Sequence, residues 1–209
     1  MLNDANSSFA EKLSSALPDL TLGPADTAYL EEPRGLSKAR EGFVAKPTTT
    51  GQVAALVRAC GEAAVGIVPY GGGTGLVVGQ ISPEGPVPLT VSLEKMTAIR
   101  ATYPAEDALI AEAGATIAQV QDAAEDIGRL FPLSYASQDS ARLGGGLSVN
   151  SGGLNVLRYG MARDVCLGIE AVLPNGDVFH GLKRLRKDNT GYDLRHLLIG
   201  AEGTLGIIT

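Results

Sequence analysis

With 209 residues, 44% of them hydrophobic, the chain is long enough to bury a core in one large domain or two small ones. Seventeen basic against twenty-three acidic residues leave a net charge of -6, and aromatics make up only 5%, so neither a basic surface that tracks phosphates nor a platform for stacking bases is expected, and nucleic acid is excluded as a partner. No stretch reaches the roughly 20 apolar residues of a membrane span, the first twenty residues carry Asp4, Glu11 and Lys12, and two cysteines, Cys60 and Cys166, are too few for a disulfide framework; a soluble chain in a reducing, cytoplasmic compartment is expected.

Residues 8–17 form a possible short helix, and Pro18, Pro24, Pro33 and Gly35 then punctuate what reads as an arm up to about residue 40. Thr49 and Gln52 have the spacing of a capping box, and Val53, Leu56, Val57 and Cys60 fall at i, i+3, i+4 and i+7, which predicts a helix over about 50–63. Two β-rich runs follow, 65–70 and 88–93, so that 40–97 reads as a small α/β unit with parallel strands. From residue 98 the pattern changes to a hairpin, 98–103 and 108–112 around a turn at 104–107. Thr116 and Gln119 make a second capping box, with Ile117, Val120, Ala124 and Ile127 on one face and Gly128 as the stop; this helix should cover the hairpin. A further hairpin, 165–173 and 178–181, flanks Pro174-Asn175-Gly176-Asp177, where Asn-Gly can supply the positive φ angles of a tight turn. The fold class is α+β, a parallel α/β subdomain followed by a mixed, mainly antiparallel one over 98–209.

Glycine is the outlier, 27 of 209 residues, roughly twice the usual ~7%. One cluster, Gly71-Gly72-Gly73-Thr74-Gly75, directly follows a strand; residues without Cβ let several N–H groups converge on an anion, so a phosphate cradle and a glycine-rich bulge are both open readings. A dinucleotide fingerprint fails because Leu76 stands at its sixth position, and no lysine follows for a P-loop. The second cluster, Gly144-Gly145-Gly146 with Ser148, Asn150, Ser151, Gly152 and Gly153, reads as another backbone surface suited to a long ligand with polar stations.

The run Arg186-Lys187-Asp188-Asn189-Thr190-Gly191-Tyr192-Asp193-Leu194, with 200–209 after it and both glycine clusters before it, closely resembles the FAD-linked D-2-hydroxyacid dehydrogenases: the D-lactate, D-2-hydroxyglutarate and glycolate oxidase subunit types, with the PCMH-type FAD-binding domain of the vanillyl-alcohol-oxidase superfamily. The resemblance covers about residue 40 to the end. It implies that Pro69, Tyr70, Gly71, Gly72, Gly73, Thr74, Gly75 and Leu76, with Gly79, hold the FAD pyrophosphate. Pro132, Ser134, Ser137, Ser140, Gly144, Gly145, Ser148, Asn150, Gly152 and Gly153 would line the ribityl chain and flavin, and Glu202, Gly203, Gly206, Ile207 and Ile208 the adenosine or ribityl side. Three departures stand out: Ser134 where Asp is common, and Gly73 and Gly146 where Asn is frequent.

His180 and His196 both lie far in sequence from the first glycine loop, where some members of the superfamily attach FAD covalently, so dissociable FAD is expected. The resemblance further implies oxidation of a D-2-hydroxy acid to a 2-oxo acid by a flavin, electron transfer to a quinone or a carrier protein, and a substrate domain beyond residue 209 that supplies the carboxylate-binding arginine and a metal site; no metal ligand and no catalytic acid or base is assigned here. A homodimer, an inert flavin-carrying subunit and an NADPH-dependent flavin reductase of the same fold stay open. Lys183, Arg184, Arg186 and Lys187 read as a solvated face, Cys60 and Cys166 as packing, and Tyr159 and Tyr192 as packing or flavin contacts. Gly72→Asp is expected to expel FAD by charge repulsion while the fold is kept.

Overall fold

The computed structural model describes all residues, 1–209. In chain order the elements are α1 Ser7–Ala16, β1 Thr21–Pro24, α2 Thr27–Leu30, β2 Phe43–Lys46, α3 Thr50–Glu62, β3 Ile67–Tyr70, β4 Leu89–Ser92, β5 Ile99–Tyr103, β6 Ala108–Ala111, α4 Ile117–Glu125, α5 Leu143–Ser148, α6 Val156–Tyr159, α7 Ala162–Val165, β7 Ile169–Val172, β8 Val178–Gly181, α8 Leu194–Leu198 and β9 Ile207–Ile208.

The first sheet has the order β1-β2-β4-β3, with β2, β4 and β3 parallel and β1 antiparallel at the edge. Its parallel part needs a crossover, and α3 supplies it between β2 and β3. The Thr49 side chain accepts from the Gln52 N–H and starts that helix, while the Gln52 side chain reaches one residue further back than in a capping box, to the Thr48 N–H. Val53, Leu56, Val57 and Cys60 are all buried, as their spacing predicts, and burial pushes the Cys60 thiol up to about 12, so it acts as a small apolar side chain. The N-terminal stretch is more than an arm. Beyond adding β1 to the sheet, it bonds the body through the Asn3 N–H to the Ala64 carbonyl and the Ala5 N–H to the Val87 carbonyl.

The second half carries a two-stranded sheet, β5-β6, and a three-stranded one, β8-β7-β9, all antiparallel. Helix α4 begins at a reciprocal capping box, the Gln119 N–H on Thr116 Oγ1 at 3.0 Å and the Thr116 N–H on Gln119 Oε1 at 2.8 Å, and packs on the hairpin. Gly128, at φ +68°, turns the chain out of it. In the connection between β7 and β8 only Gly176 is left-handed, at φ +81°; Asn175 is not, because the Gly176 N–H first closes a turn on the Leu173 carbonyl and the glycine then resets the register. Main-chain bonds at Thr209 tie the two sheets together: the Thr209 N–H donates to the Glu170 carbonyl, and the Thr209 carbonyl accepts from the Ala113 N–H, both at 3.0 Å. A single core of 25 buried residues, including Leu56, Leu89, Val91, Met96, Ile169 and Ile199, runs under both halves; each such side chain contributes about 1.5–3 kcal/mol of transfer free energy.

Candidate functional site

Strand β3 delivers the first glycine loop. Its last residue, Tyr70, is buried, stacks edge-on against Tyr29 at 4.9 Å, and donates its hydroxyl to the Ala28 carbonyl at 2.7 Å. Burial raises the hydroxyl pKa, so it stays a neutral donor. Gly73 takes φ +69° and lies against the hydroxyl end of Tyr70, whose Cζ is 2.8 Å from where a Cβ would be. None of the N–H groups of Gly71 to Gly75 donates to a main-chain carbonyl.

The second glycine cluster is not an extended surface but the helix α5. Leu143 and Leu147, at i and i+4, turn into apolar surroundings, and the glycine side of the helix turns to the first loop. A Cβ on Gly71 would lie 3.4 Å from the Gly145 Cα, and one on Gly145 would lie 3.8 Å from the Gly71 Cα, so the two clusters meet backbone to backbone. Gly72 faces the chain just before α5: a Cβ there would stand 2.8 Å from the Ser140 carbonyl carbon and 3.2 Å from the Ala141 Cα. The glycine excess therefore serves chain-to-chain approach as well as any ligand. It also changes the expectation for Gly72→Asp, since any side chain at 72 separates the loop from α5 before charge matters.

The segment 200–206 closes the group. The Glu202 N–H donates to the Ser148 carbonyl at 2.9 Å, and Gly203 lies over Pro69, whose Cγ is 2.8 Å from a hypothetical Cβ. The run 186–194 stays outside. Asp188 pairs with Lys183 at 2.7 Å and Asp193 caps α8, while Arg195 ties that helix to the carbonyls of Cys166 and Leu167.

These pieces enclose a cleft of about 290 Å³. Of the residues singled out by sequence, Pro69, Tyr70, Gly71, Gly72, Gly73, Thr74, Gly75, Gly79, Ser137, Gly144, Gly145, Ser148, Glu202, Gly203, Gly206, Ile207 and Ile208 line it. Leu76, Pro132, Ser134, Ser140, Asn150, Gly152 and Gly153 do not. The causes are local. Asn150 uses its side chain to accept from the Arg163 N–H at 3.0 Å, Gly152 abuts Met161 and Val156, Gly153 lies against the Ser134 carbonyl, and Pro132 faces a different cleft. His180, beside Glu170 on β8, and His196, beside Asp193, are both away from the glycines. Lys183 and Arg184 are held in ion pairs with Asp188 and Glu106.

Residues 42–181, more than half of the chain, match the family described as FAD binding domain. The chain belongs to that family. FAD is its cofactor, and the fold is of the PCMH type. The FAD-binding domain is 39% identical over 188 residues to the mitochondrial D-2-hydroxyglutarate dehydrogenase of Bos taurus, covering 90% of this chain and 34% of that protein. It is 40% identical over 162 residues to the D-2-hydroxyglutarate dehydrogenase of Stutzerimonas stutzeri, covering 78% and 34%. The chain thus spans about a third of the length of these relatives. A solved structure of alkyldihydroxyacetonephosphate synthase superposes with a TM-score of 0.83 over 100% of this chain and 40% of its own, at 23% identity, a likeness of fold.

The lining of the domain's cleft fits an anionic cofactor. Besides the free amides of the loop, the buried part of Arg142 contributes a cation: its Nη1 donates to the Gly114 carbonyl at 2.7 Å, while its Nε is buried with no partner. A guanidinium with an unused donor beside unpaired amides is matched by a diphosphate. Sequence reasoning missed Arg142, and also Tyr135 and Gln80, which line the same cleft, as does Ser151 of the second glycine cluster. The only signal for Arg142 was a charge set between Ala141 and Leu143 just ahead of the glycines. Tyr135 and Ser151 explain one departure from the family pattern, because their hydroxyls, bonded to each other, lie 3.1 Å from where a side chain at Gly146 would begin.

Proposed function

We propose that this chain is the FAD-binding part of a dehydrogenase that oxidises a D-2-hydroxy acid, D-2-hydroxyglutarate foremost, to the 2-oxo acid. The observation that carries the reading is the convergence of three separate segments, 69–79, 137–148 and 202–208, on one cleft with unpaired amides and a buried arginine. The substrate class is supported by the dehydrogenases to which the chain is similar. Bound FAD supplies a two-electron acceptor, the flavin N5, for the hydride equivalent of the substrate C–H.

The chain's own residues bind and orient. The amides of Gly71 to Gly75 and the Arg142 guanidinium hold the diphosphate, Ser137 and Ser148 offer hydroxyls along the ribityl chain, and Glu202, Gly203 and Ile207 wall the cleft. Ser134, Ser140, Asn150, Gly152 and Gly153 act from behind, fixing the backbone that the cofactor meets. FAD is held without a covalent bond, a reading supported by the distance of both histidines from the loop.

Titration of the purified chain with FAD should quench flavin fluorescence at one equivalent, and acid precipitation should leave the yellow colour in the supernatant; colour on the pellet refutes the non-covalent reading. In the polypeptide that joins this chain to a substrate domain, anaerobic D-2-hydroxyglutarate should bleach the flavin band. No bleaching by any D-2-hydroxy acid sinks the substrate class, and bleaching by NADPH alone puts a reductase in its place.

A further inference from the structure

The first glycine loop runs on past Gly75 into a rim, Leu76 to Gln80, whose donors and acceptors fare differently. From Gly71 to Gln80 no N–H donates to a main-chain carbonyl. The oxygens of the rim are taken up instead: the Gly75 carbonyl accepts from Gln80 Nε2 at 2.8 Å, the Leu76 carbonyl from Arg34 Nη2, and the Val78 carbonyl from the Ile81 N–H at 3.1 Å. Val77, Gly79 and Gln80 line the glycine-walled cleft, whereas Leu76, Val78 and Arg34 do not.

A trans peptide points its C=O and its N–H to opposite sides. With the Leu76 oxygen held by Arg34 from outside the cleft, the Val77 N–H of the same peptide is aimed the other way, and Val77 is the residue that lines the cleft. Gln80 works from within: it covers the Gly75 oxygen with a donor, so that no bare carbonyl faces an anion there. Turning either peptide over would set an oxygen where a diphosphate brings negative charge. Both side chains are themselves held in place. Val78, at φ +69°, a rare conformation for a β-branched residue, turns the chain back so that Gln80 reaches Gly75. Around Arg34, its own N–H donates to Glu32 Oε2 at 3.0 Å and the Leu36 N–H to Glu32 Oε1 at 2.6 Å, and the Glu32 side chain is wholly buried.

We propose that Arg34 and Gln80 are positioning residues for FAD: they hold the Leu76 and Gly75 carbonyls, so that the rim of the first glycine loop offers the diphosphate donors and no bare oxygen. The role rests on the reading of that loop as the diphosphate cradle, and it extends the cradle to the Val77 amide. Arg34 touches no phosphate; it acts through the peptide it grips. It also stands ahead of residue 42, where the match to the FAD-binding family starts, so the cofactor site draws on a side chain from outside the matching stretch.

Flavin fluorescence titrations of the parent chain, Arg34→Met, Arg34→Lys, Gln80→Met and Gly72→Ala test the proposal, with thermal melting of each ligand-free chain alongside. Arg34→Met and Gln80→Met should each weaken FAD binding about tenfold, with little change in melting, since Arg34 is exposed and Gln80 half-buried. Arg34→Lys, which keeps a donor for the Leu76 carbonyl, should recover most of the affinity. The amide resonance of Val77 should move when FAD is added to the parent and stay in place in Arg34→Met. An unchanged dissociation constant in either Met variant overturns the proposal, and so does a loss in Arg34→Met that Arg34→Lys leaves unrecovered. If Arg34→Met does not fold, Gln80→Met decides alone. Gly72→Ala separates this failure from that of the cradle reading: FAD lost there but kept in both Met variants removes only the two positioning residues, whereas FAD kept in all three takes the loop out of the site.

Discussion

The two clefts on either side of α5 are built from opposite materials. One is walled by main chain, with glycines, serines and unpaired amides; the other is walled mostly by leucine, isoleucine and alanine, with charged side chains such as Arg129, Arg158 and Arg184 among them. The same six residues serve both, since Gly145 and Ser148 look one way and Leu143 and Leu147 the other. What separates them is the unmet need each leaves. Donors without acceptors call for an anion, whereas apolar walls call for apolar contact.

Leu147→Ala should do the most damage, because the side chain is 8% exposed and belongs to the main core; a loss of about 2–5 kcal/mol in denaturant unfolding is expected. FAD binding should fall with it, and an intact cofactor site in that variant would break the claim that one helix supports both clefts. Next comes Gly72→Ala. The added Cβ meets Ser140 and Ala141 main chain, so a cost of about 1–3 kcal/mol and loss of FAD in a fluorescence titration are expected together.

Arg142→Met keeps the stem and removes the charge. FAD should bind about tenfold more weakly, equivalent to ~1.4 kcal/mol, and the dissociation constant should depend less on salt. Gly145→Ala sharpens the contrast by splitting the two effects. Its Cβ makes an ordinary 3.8 Å contact with the Gly71 Cα, so helix propensity should raise stability by up to about 1 kcal/mol, while the narrowed gap weakens FAD.

The smallest effect lies where the sheets meet. Burial pushes the Glu170 carboxyl up, but hydrogen bonds from Thr50 and Thr209 and the charge of Arg100 outweigh it and hold the group below its ordinary 4.5. A depressed carboxyl contributes stability above about pH 4.5 that is lost as pH falls through its lower folded value. Arg100→Met should therefore destabilise at pH 7 and move acid unfolding to higher pH, and the difference from the parent chain should vanish in strong acid. A constant difference down to pH 2 would remove Glu170 from that account.

Periodicity made much of the fold legible. The spacing of Val53, Leu56, Val57 and Cys60, the Thr116–Gln119 cap and the turn before β6 each states a local geometry that the packing then keeps. The helix at 143–148 was hidden because three successive glycines argue against helix; only the Leu143–Leu147 spacing spoke for it. The edge strand β1 was hidden for a similar reason, as Pro24 reads as punctuation while the pairing of Gly23 and Pro24 with Val44 and Phe43 is a tertiary fact. Most of the cleft followed from the resemblance of whole motifs. Asn150 and Gly153 fell outside it because a motif marks where the chain is constrained, and these two constrain other protein segments. Arg142 escaped notice because an unused guanidinium nitrogen is visible only once its neighbours are placed.

The Tyr70 hydroxyl on the Ala28 carbonyl has a bearing on where this unit can be cut. The stretch that matches the family starts at residue 42, yet the loop that faces the cofactor is buttressed from residues 28 and 29, with Tyr29 bonded to Glu94 and roofed by Lys46. Similarity and mechanical support thus have different borders. A version trimmed to the matching stretch would lose the prop beneath its first glycine loop, together with the outer strand of its first sheet, and its grip on FAD would loosen although every cleft-lining residue remained.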